Sequence, residues 1–203
     1  MSLTNLGLVQ FVKTKLGVPY VYGMKGEVLT LSKYNYLKAT YGDLIWNSDK
    51  NKIGQVCCDC SGLISWYTGI IRGSSQYKSL ASQVYPISTI NNAPIGAAVW
   101  QQGHIGVYIG NGEYIAEDGS AYGCRKNKIS NAKFTHWFKI SDIDYIEEDS
   151  EVVEQSKIKV NGQYYEVPRI LKDGYNYINV RTLAELLGIK ISNEGNIAVL
   201  ETK

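Results

Sequence analysis

One cysteine stands where a reactive thiol is expected. The run DCSG at residues 59–62 precedes a segment, 63–70, whose apolar residues recur at helical spacing, so Cys60 is predicted to begin a helix. Backbone N–H groups at a helix start favour the thiolate form of a cysteine, and Asp59 can cap the same helix. This context favours a nucleophile over a buried structural thiol, which is the common fate of a free cysteine.

A thiol nucleophile needs a general base, and the sequence contains two histidines. His104 begins an alternating strand pattern, whereas His136 stands among aromatic residues and is interpreted as a surface or packing residue. The base in turn needs a partner on its other ring nitrogen. The next strand, EYIAED, places Glu117 on one face and Asp118 on the other, and Glu117 is predicted to orient the imidazole. Cys60, His104 and Glu117 are therefore the predicted catalytic residues.

The other cysteines raise a second chemistry, metal binding. Zinc ligands could come from the thiols of residues 57–60 together with His104 or Cys124. Structural zinc sites pair one closely spaced cysteine motif with a second one, and the sequence has no such second pair. The spacing is equally poor for a disulfide framework. Cys57 and Cys58 are therefore interpreted as packing residues, and neither a metal nor another cofactor is expected.

The elements that position these side chains predict an α+β fold. After a helix near the N-terminus, residues 24–57 show no clean period and are interpreted as a long irregular insertion with a short helix inside it. The helix of Cys60 follows. Residues 97–117 then show the pattern of three strands, separated by glycine turns at 102–103 and 111–112. Helices followed by a strand meander are typical of an α+β domain.

Charge and turn residues divide the chain into three parts. Residues 1–146 are predicted to form the catalytic domain. The stretch 147–157 has one basic and five acidic residues and is interpreted as a solvated linker. Residues 158–203 contain neither His nor Cys and predict a small ββαββ module without a catalytic group. The net charge of the chain is only +2, which gives no reason to expect a nucleic-acid partner.

Three blocks of sequence resemble the NlpC/P60 cysteine peptidases of bacterial peptidoglycan, which belong to the papain-like superfamily. The blocks are GVPYVYG at residues 17–23, DCSG at residues 59–62 and HIGVYIGNG at residues 104–112. The resemblance implies a helix that carries the cysteine and packs on an antiparallel sheet that carries the histidine. It also implies that Tyr20 lies beside the nucleophile, and that Asp59 and Ser61 help to bind polar ends of the substrate.

The same resemblance implies a peptidoglycan hydrolase that cleaves an amide bond of the stem peptide, after γ-D-glutamate. An N-acetylmuramoyl-L-alanine amidase with the same Cys–His apparatus, a thiol acyltransferase or transglutaminase, and a non-catalytic wall-binding protein are the alternatives. The sequence departs from the family pattern in three places. Residues 24–57 lengthen the gap before the cysteine, Tyr22 replaces a tryptophan, and residues 114–118 offer no histidine for the third catalytic position.

The C-terminal module resembles the stalk-type repeat at the N-terminus of copper amine oxidases. In lysins, modules at this place are similar in role to domains that bind the cell wall or self-associate. With the insertion and no recognisable signal sequence or membrane span, the chain resembles endolysins from phages of Gram-positive bacteria. This implies synthesis in the cytoplasm without a signal peptide, holin-type release and action on the cell wall. The expected partners are peptidoglycan and, through the module, a second copy of the chain; membrane insertion is not expected.

Overall fold

The computed structural model describes residues 3–146, 153–172, 175–194 and 197–201. Contacts separate the chain into a first unit, Met1–Ile146, and a second unit, Glu147–Lys203. Within the described ranges, every helix is too short or too polar to cross a lipid bilayer.

Local capping determines where the helices of the first unit begin. Its α-helices within residues 3–146 are α1 (Asn5–Lys13), α2 (Leu31–Tyr41), α3 (Cys60–Thr68) and α4 (Ser74–Ser79). The side chains of Thr4, Thr30 and Asp59 each accept a hydrogen bond from the backbone N–H three residues later, and so cap α1, α2 and α3. The predicted helix at Cys60 is confirmed, and it ends at Gly69 in the left-handed conformation.

One antiparallel sheet forms the centre of the first unit. Its strands are β3 (Val84–Pro86), β4 (Ala98–Gln101), β5 (His104–Gly110), β6 (Glu113–Glu117), β7 (Cys124–Lys128) and β8 (His136–Phe138). Their order across the sheet is β3-β8-β4-β5-β6-β7. The three strands predicted within residues 97–117 are β4, β5 and β6, and turns join them at the predicted glycines. Helices packed on this antiparallel sheet confirm the predicted α+β fold.

Apolar packing holds α1 and α3 against one face of this sheet. The buried residues of this layer include Leu8, Val12, Leu63, Ile64, Ile105, Val107, Ile115 and Phe138. A second cluster includes Ala97, Val99, Tyr108, Tyr114, Phe134 and Trp137. Because side chains alternate along a strand, Ile105 and Val107 face α3 while His104 lies at the edge of the layer, as the strand pattern predicts.

The segment 24–57 is more regular than the sequence predicts. It contains β1 (Lys25–Val28) and β2 (Val56–Cys58), which pair antiparallel, and it contains α2 between them. The predicted short helix lies within α2, of which only Tyr34 and Leu37 are buried. So few apolar contacts leave a weak periodic signal, which explains why the sequence pattern favours an irregular segment here.

Within its described residues, the second unit contains three strands before its helix rather than the predicted two. Its elements are β9 (Val153–Val160), β10 (Gln163–Lys172), β11 (Tyr175–Ile178), α5 (Val180–Leu187), β12 (Lys190–Glu194) and β13 (Ile197–Glu201). β9 begins at Val153 and pairs antiparallel with β10. Residues 153–157 are therefore strand, and the prediction of a linker through residue 157 is wrong for that part. The rest of the predicted linker, 147–152, lies outside the described residues.

Candidate active site

The thiol of Cys60 lies on the wall of a cleft with a volume of about 1040 Å³. Asp59, which caps α3, and Ser61 line the same cleft, as does Gly103, the residue before β5. Cys60 Sγ is 4.0 Å from the carbonyl oxygen of Gly103. The start of α3 and the turn between β4 and β5 therefore meet at this cleft.

His104 is the first residue of β5 and interacts with the Cys60 thiol. Its Nε2 lies 3.2 Å from Oδ1 of Asp118, which leaves Nδ1 as the ring nitrogen for the thiol. The imidazole also stacks on Phe134, with a distance of 5.6 Å between ring centroids and an angle of 7° between the planes. The hydrogen bond and the stacked ring together fix the orientation of the base.

The acid that contacts His104 is Asp118, and the prediction that Glu117 orients the imidazole is wrong. The Glu117 side chain is fully buried, and neither of its carboxylate oxygens has a hydrogen-bond partner among the described residues. Asp118 follows directly after β6, at the end of that strand that lies next to the start of β5. Adjacent residues of an extended strand point to opposite faces, so only one of the two acids can reach the imidazole.

A bulge in β5 explains which acid reaches the base. Tyr108 pairs with Tyr114, but Gly110 pairs with Glu113, so Ile109 is an extra residue with no counterpart on β6. A shift of one residue exchanges the two faces of a strand for every pair beyond it. Regular alternation through the hairpin would therefore place Glu117 on the face of His104, whereas the bulged hairpin places Asp118 there.

Two further side chains hold the Asp118 carboxylate. Arg125 Nε donates a hydrogen bond to Oδ2 over 2.6 Å, and the Tyr114 hydroxyl donates to the same oxygen over 3.2 Å. Burial on its own would raise the pKa of Asp118, but the hydrogen bonds from His104 and Arg125 outweigh it and hold that pKa below its usual value. Asp118 is therefore a carboxylate at neutral pH.

The His104 imidazole is correspondingly basic. Burial alone lowers its pKa, but the hydrogen bonds with Asp118 and Cys60 outweigh burial and raise the pKa to about 9. His104 is therefore protonated at neutral pH. An imidazolium beside a cysteine stabilises the thiolate, which is the reactive form of the nucleophile.

Glu117 lies in the opposite electrostatic environment. Burial, and then the neighbouring Asp59 carboxylate, raise the pKa of Glu117 to about 9, although Lys52 acts against this rise. Glu117 is therefore uncharged at neutral pH and belongs to the packed interior of the unit.

The residues predicted to bind substrate lie around the thiol. Asp59 and Ser61 line the cleft, and the Tyr20 segment pairs with Cys58 through a parallel bridge just before them. Burial, and then the nearby Cys60 and Asp59, raise the pKa of the Tyr20 hydroxyl. Tyr20 is therefore a neutral phenol that can donate a hydrogen bond.

Two further segments line the cleft together with the start of α3. The insertion contributes side chains of α2, among them Lys33, Tyr36 and Tyr41. The segment 69–76 contributes further residues, including Arg72. The insertion thus shapes the space that a substrate would occupy.

Sequence reasoning missed several contacts of the site. Arg125 anchors Asp118, Phe134 stacks on His104, and Lys25 donates hydrogen bonds to Asp59 and Ser61. Each contact depends on strand pairing or joins segments that are far apart in the sequence, so no local spacing could have indicated it.

The remaining cysteines are buried and unpaired as disulfides. Burial raises the pKa of Cys57 to about 11, that of Cys124 to about 12, and that of Cys58 as well. These three thiols are therefore protonated and poorly nucleophilic. In the described part of the chain, no group of three or more His, Cys, Asp or Glu side chains is placed to hold a metal ion.

Comparisons with known proteins give matches among solved structures only. No family model and no curated protein sequence matches the chain. The P60 domain of an antigen from M. avium subspecies paratuberculosis matches with a TM-score of 0.47 and 23% identity, over 70% of this chain and 96% of that one. The peptidoglycan hydrolase RipB from Mycobacterium tuberculosis matches with a TM-score of 0.47 and 25% identity, over 70% of this chain and 65% of RipB.

A third similar structure is the NlpC/p60 domain of the peptidoglycan hydrolase SagA. It matches with a TM-score of 0.44 and 16% identity, over 68% of this chain and all of that domain. Because these TM-scores lie below 0.5, only the contacts of the site itself bear on its chemistry.

Proposed function

We propose that the chain is a peptidoglycan hydrolase, a cysteine peptidase that cleaves an amide bond of the stem peptide after γ-D-glutamate. The observation that carries this proposal is the contact series from Cys60 through His104 to Asp118 on the wall of an open cleft. A thiol, a base and an orienting acid in this order make up the group that cysteine peptidases use. The substrate class follows from the resemblance of the three sequence blocks to peptidoglycan peptidases.

The first chemical step is attack on the amide carbonyl. The Cys60 thiolate adds to the carbonyl carbon, and the negative charge moves to the carbonyl oxygen. The backbone N–H of Cys60 is at the first position of α3, where a helix leaves N–H groups without an intrahelical partner. That N–H and the Tyr20 hydroxyl are the donors proposed for the oxyanion.

Collapse of this intermediate needs one proton, which His104 supplies. The imidazolium protonates the leaving amine, the C–N bond breaks, and a thioester remains on Cys60. The neutral imidazole then takes a proton from water, and the resulting hydroxide attacks the thioester and releases the thiolate and a carboxylic acid. Asp118 positions His104 and stabilises the imidazolium in both steps.

The second unit is proposed to bind the cell wall or to associate with a second copy, and the whole chain to act as an endolysin. These proposals follow from the resemblance of residues 158–203 to stalk-type repeats and from the absence of His and Cys there. A wall-bound or paired module raises the effective concentration of the catalytic unit at its substrate. Synthesis in the cytoplasm and holin-type release belong to the same proposal.

Mass spectrometry of fragments released from purified cell walls tests the proposed activity. The native chain should leave new γ-D-glutamate carboxyl ends and new amino ends on the diamino acid. Cys60→Ala should release no fragments, whereas Cys57→Ala, at a fully buried thiol outside the cleft lining, should retain most of the activity. New L-alanine amino ends would instead identify the amidase. Inhibition by a chelator but not by thiol alkylation would contradict the cysteine mechanism.

A further inference from the structure

The side chains of Asp59 and Ser61 are polar, line the cleft and flank Cys60 in the sequence. A carboxylate next to a hydroxyl is a good receptor for an ammonium group, because the carboxylate accepts charge-assisted hydrogen bonds. A substrate amine would therefore be the natural ligand for this pair. In this chain, however, an ammonium group of the protein itself already occupies it.

That ammonium group belongs to Lys25. Its Nζ lies 2.8 Å from Oδ1 and 2.7 Å from Oδ2 of Asp59, and it donates to Ser61 Oγ over 2.9 Å. Three contacts use the whole donor capacity of an ammonium group. The side chains of Lys25 and Asp59 are only 19% and 7% exposed, so solvent screens the pair weakly.

The Asp59 carboxylate has no acceptor capacity left for a substrate. Besides Lys25, it accepts hydrogen bonds from Gly23 N over 2.9 Å, Ser61 Oγ over 2.9 Å and Gly62 N over 2.6 Å. A carboxylate offers about four lone-pair positions, and these donors together fill them. A second ammonium group here would meet the like charge of Lys25 and find no free acceptor.

The fold holds Lys25 at this place. Lys25 is the first residue of β1 and pairs with Cys58 of β2, the residue directly before Asp59. The Asp59 N–H also donates to the carbonyl oxygen of Met24 over 2.9 Å. Backbone pairing therefore brings the lysine and the carboxylate together, although 34 residues separate them.

We infer that Lys25 is a specificity residue that excludes substrates with a free amine at this part of the cleft and selects those whose amine is acylated. This inference rests on the proposed function and specifies its substrate. Stem peptides still joined to their sugar have an acylated first amino group, whereas peptides already released by an amidase have a free one. The chain would thus act on intact wall rather than on released peptides.

The experiment compares two soluble substrates prepared from the same walls. One is the muropeptide from muramidase digestion, with its stem peptide still joined to sugar, and the other is the same material after treatment with an amidase. The measured quantity is kcat/KM for each, with the cleaved bond identified by mass spectrometry. The native chain should cut the sugar-linked form better than the freed form.

Lys25→Met removes the ammonium group and leaves Asp59 able to bind an amine. A hydrogen bond between charged groups corresponds to about a tenfold to hundredfold gain. The ratio of kcat/KM for freed over linked substrate should therefore rise at least about tenfold. Lys33→Met is the matched control: Lys33 also lines the cleft, but it pairs with Glu27 at 3.3 Å and not with Asp59. The Lys33→Met chain should keep the native ratio of kcat/KM for freed over linked substrate.

The possible results distinguish failure of the inference about Lys25 from failure of the proposed function. A native chain that cuts the freed form as well as the linked form, or better, overturns the inference and leaves the proposed function intact. An unchanged ratio in a folded Lys25→Met chain also overturns it. If that variant does not fold, the preference of the native chain decides alone. If neither substrate is cut, the proposed function fails and the inference with it.

Discussion

Replacement of Asp118 by asparagine tests the central contact of the site. The asparagine side chain would keep the size of the native one but lose the negative charge of the carboxylate. That carboxylate accepts hydrogen bonds from His104 over 3.2 Å and from Arg125 over 2.6 Å. The pKa of His104 rises from 6.5 to about 9 in the native chain. That rise corresponds to a stabilisation of the imidazolium by roughly 3 kcal/mol, to which both Asp118 and Cys60 contribute.

The expected loss of activity follows from the contribution that Asp118 makes to the orientation and charge of His104. Loss of the orienting acid costs about 10⁴ in kcat of a serine peptidase, because the imidazole adopts the wrong tautomer. A thiol ionises more readily than a hydroxyl, so a cysteine enzyme depends less on its base. Asp118→Asn should therefore reduce kcat/KM by about 10-fold to 10³-fold while the chain stays folded.

The pH profile separates this effect from general damage. The imidazolium that protonates the leaving amine is lost as pH rises through the pKa of His104, so kcat/KM of the native chain should fall near pH 9. Because Asp118 raises that pKa, the alkaline limb should move to lower pH in Asp118→Asn. Such a limb reports the coupled Cys60–His104 pair rather than one residue. A loss below threefold with an unmoved limb would refute the assignment, as would greater damage from Glu117→Gln.

Two predictions concern regions away from this contact. Glu117 has a pKa of about 9 when folded, against 4.5 ordinarily, so the folded chain binds an extra proton and loses stability as pH rises between these values. Glu117→Gln should flatten the fall of Tm from pH 5 to pH 9 and change kcat/KM by less than about threefold; an equally steep fall would contradict the buried acid. Truncation after Ser150 should leave a folded fragment that cuts soluble muropeptides at the native rate but lyses intact cells more slowly. Equal lysis by both forms, measured as loss of turbidity, would remove the targeting role.

Local sequence signals predicted the parts of the site that depend on neighbouring residues. Asp59 caps α3 through an N–H three residues later, and that cap is visible in the sequence as an acid before a helical pattern. The placement of Cys60 at the helix start is therefore confirmed. His104 is likewise confirmed as the first residue of a strand, because apolar and polar residues alternate along β5.

Contacts between distant segments could not be predicted from local pattern. The Lys25 ammonium reaches Asp59 because β1 pairs with β2, and a segment with little apolar periodicity gave no sign of this pairing. Arg125 of β7 reaches Asp118, the residue directly after β6, because these two neighbouring strands pair. Register between strands, rather than the type of element, determines both contacts.

The bulge at Ile109 shows how one residue decides the chemistry of two adjacent acids. The same hairpin without the extra residue would turn Glu117 toward the base and bury Asp118 in its place. With the bulge, Asp118 meets His104 and Arg125 and keeps its charge, while Glu117 enters the interior and keeps its proton. Environment thus separates the pKa values of two neighbouring carboxylic acids, and only one of them contacts the proposed general base. A bulge can redirect the side chains of every residue beyond it, and here the bulge at Ile109 redirects the acid that contacts His104 at the other end of β5.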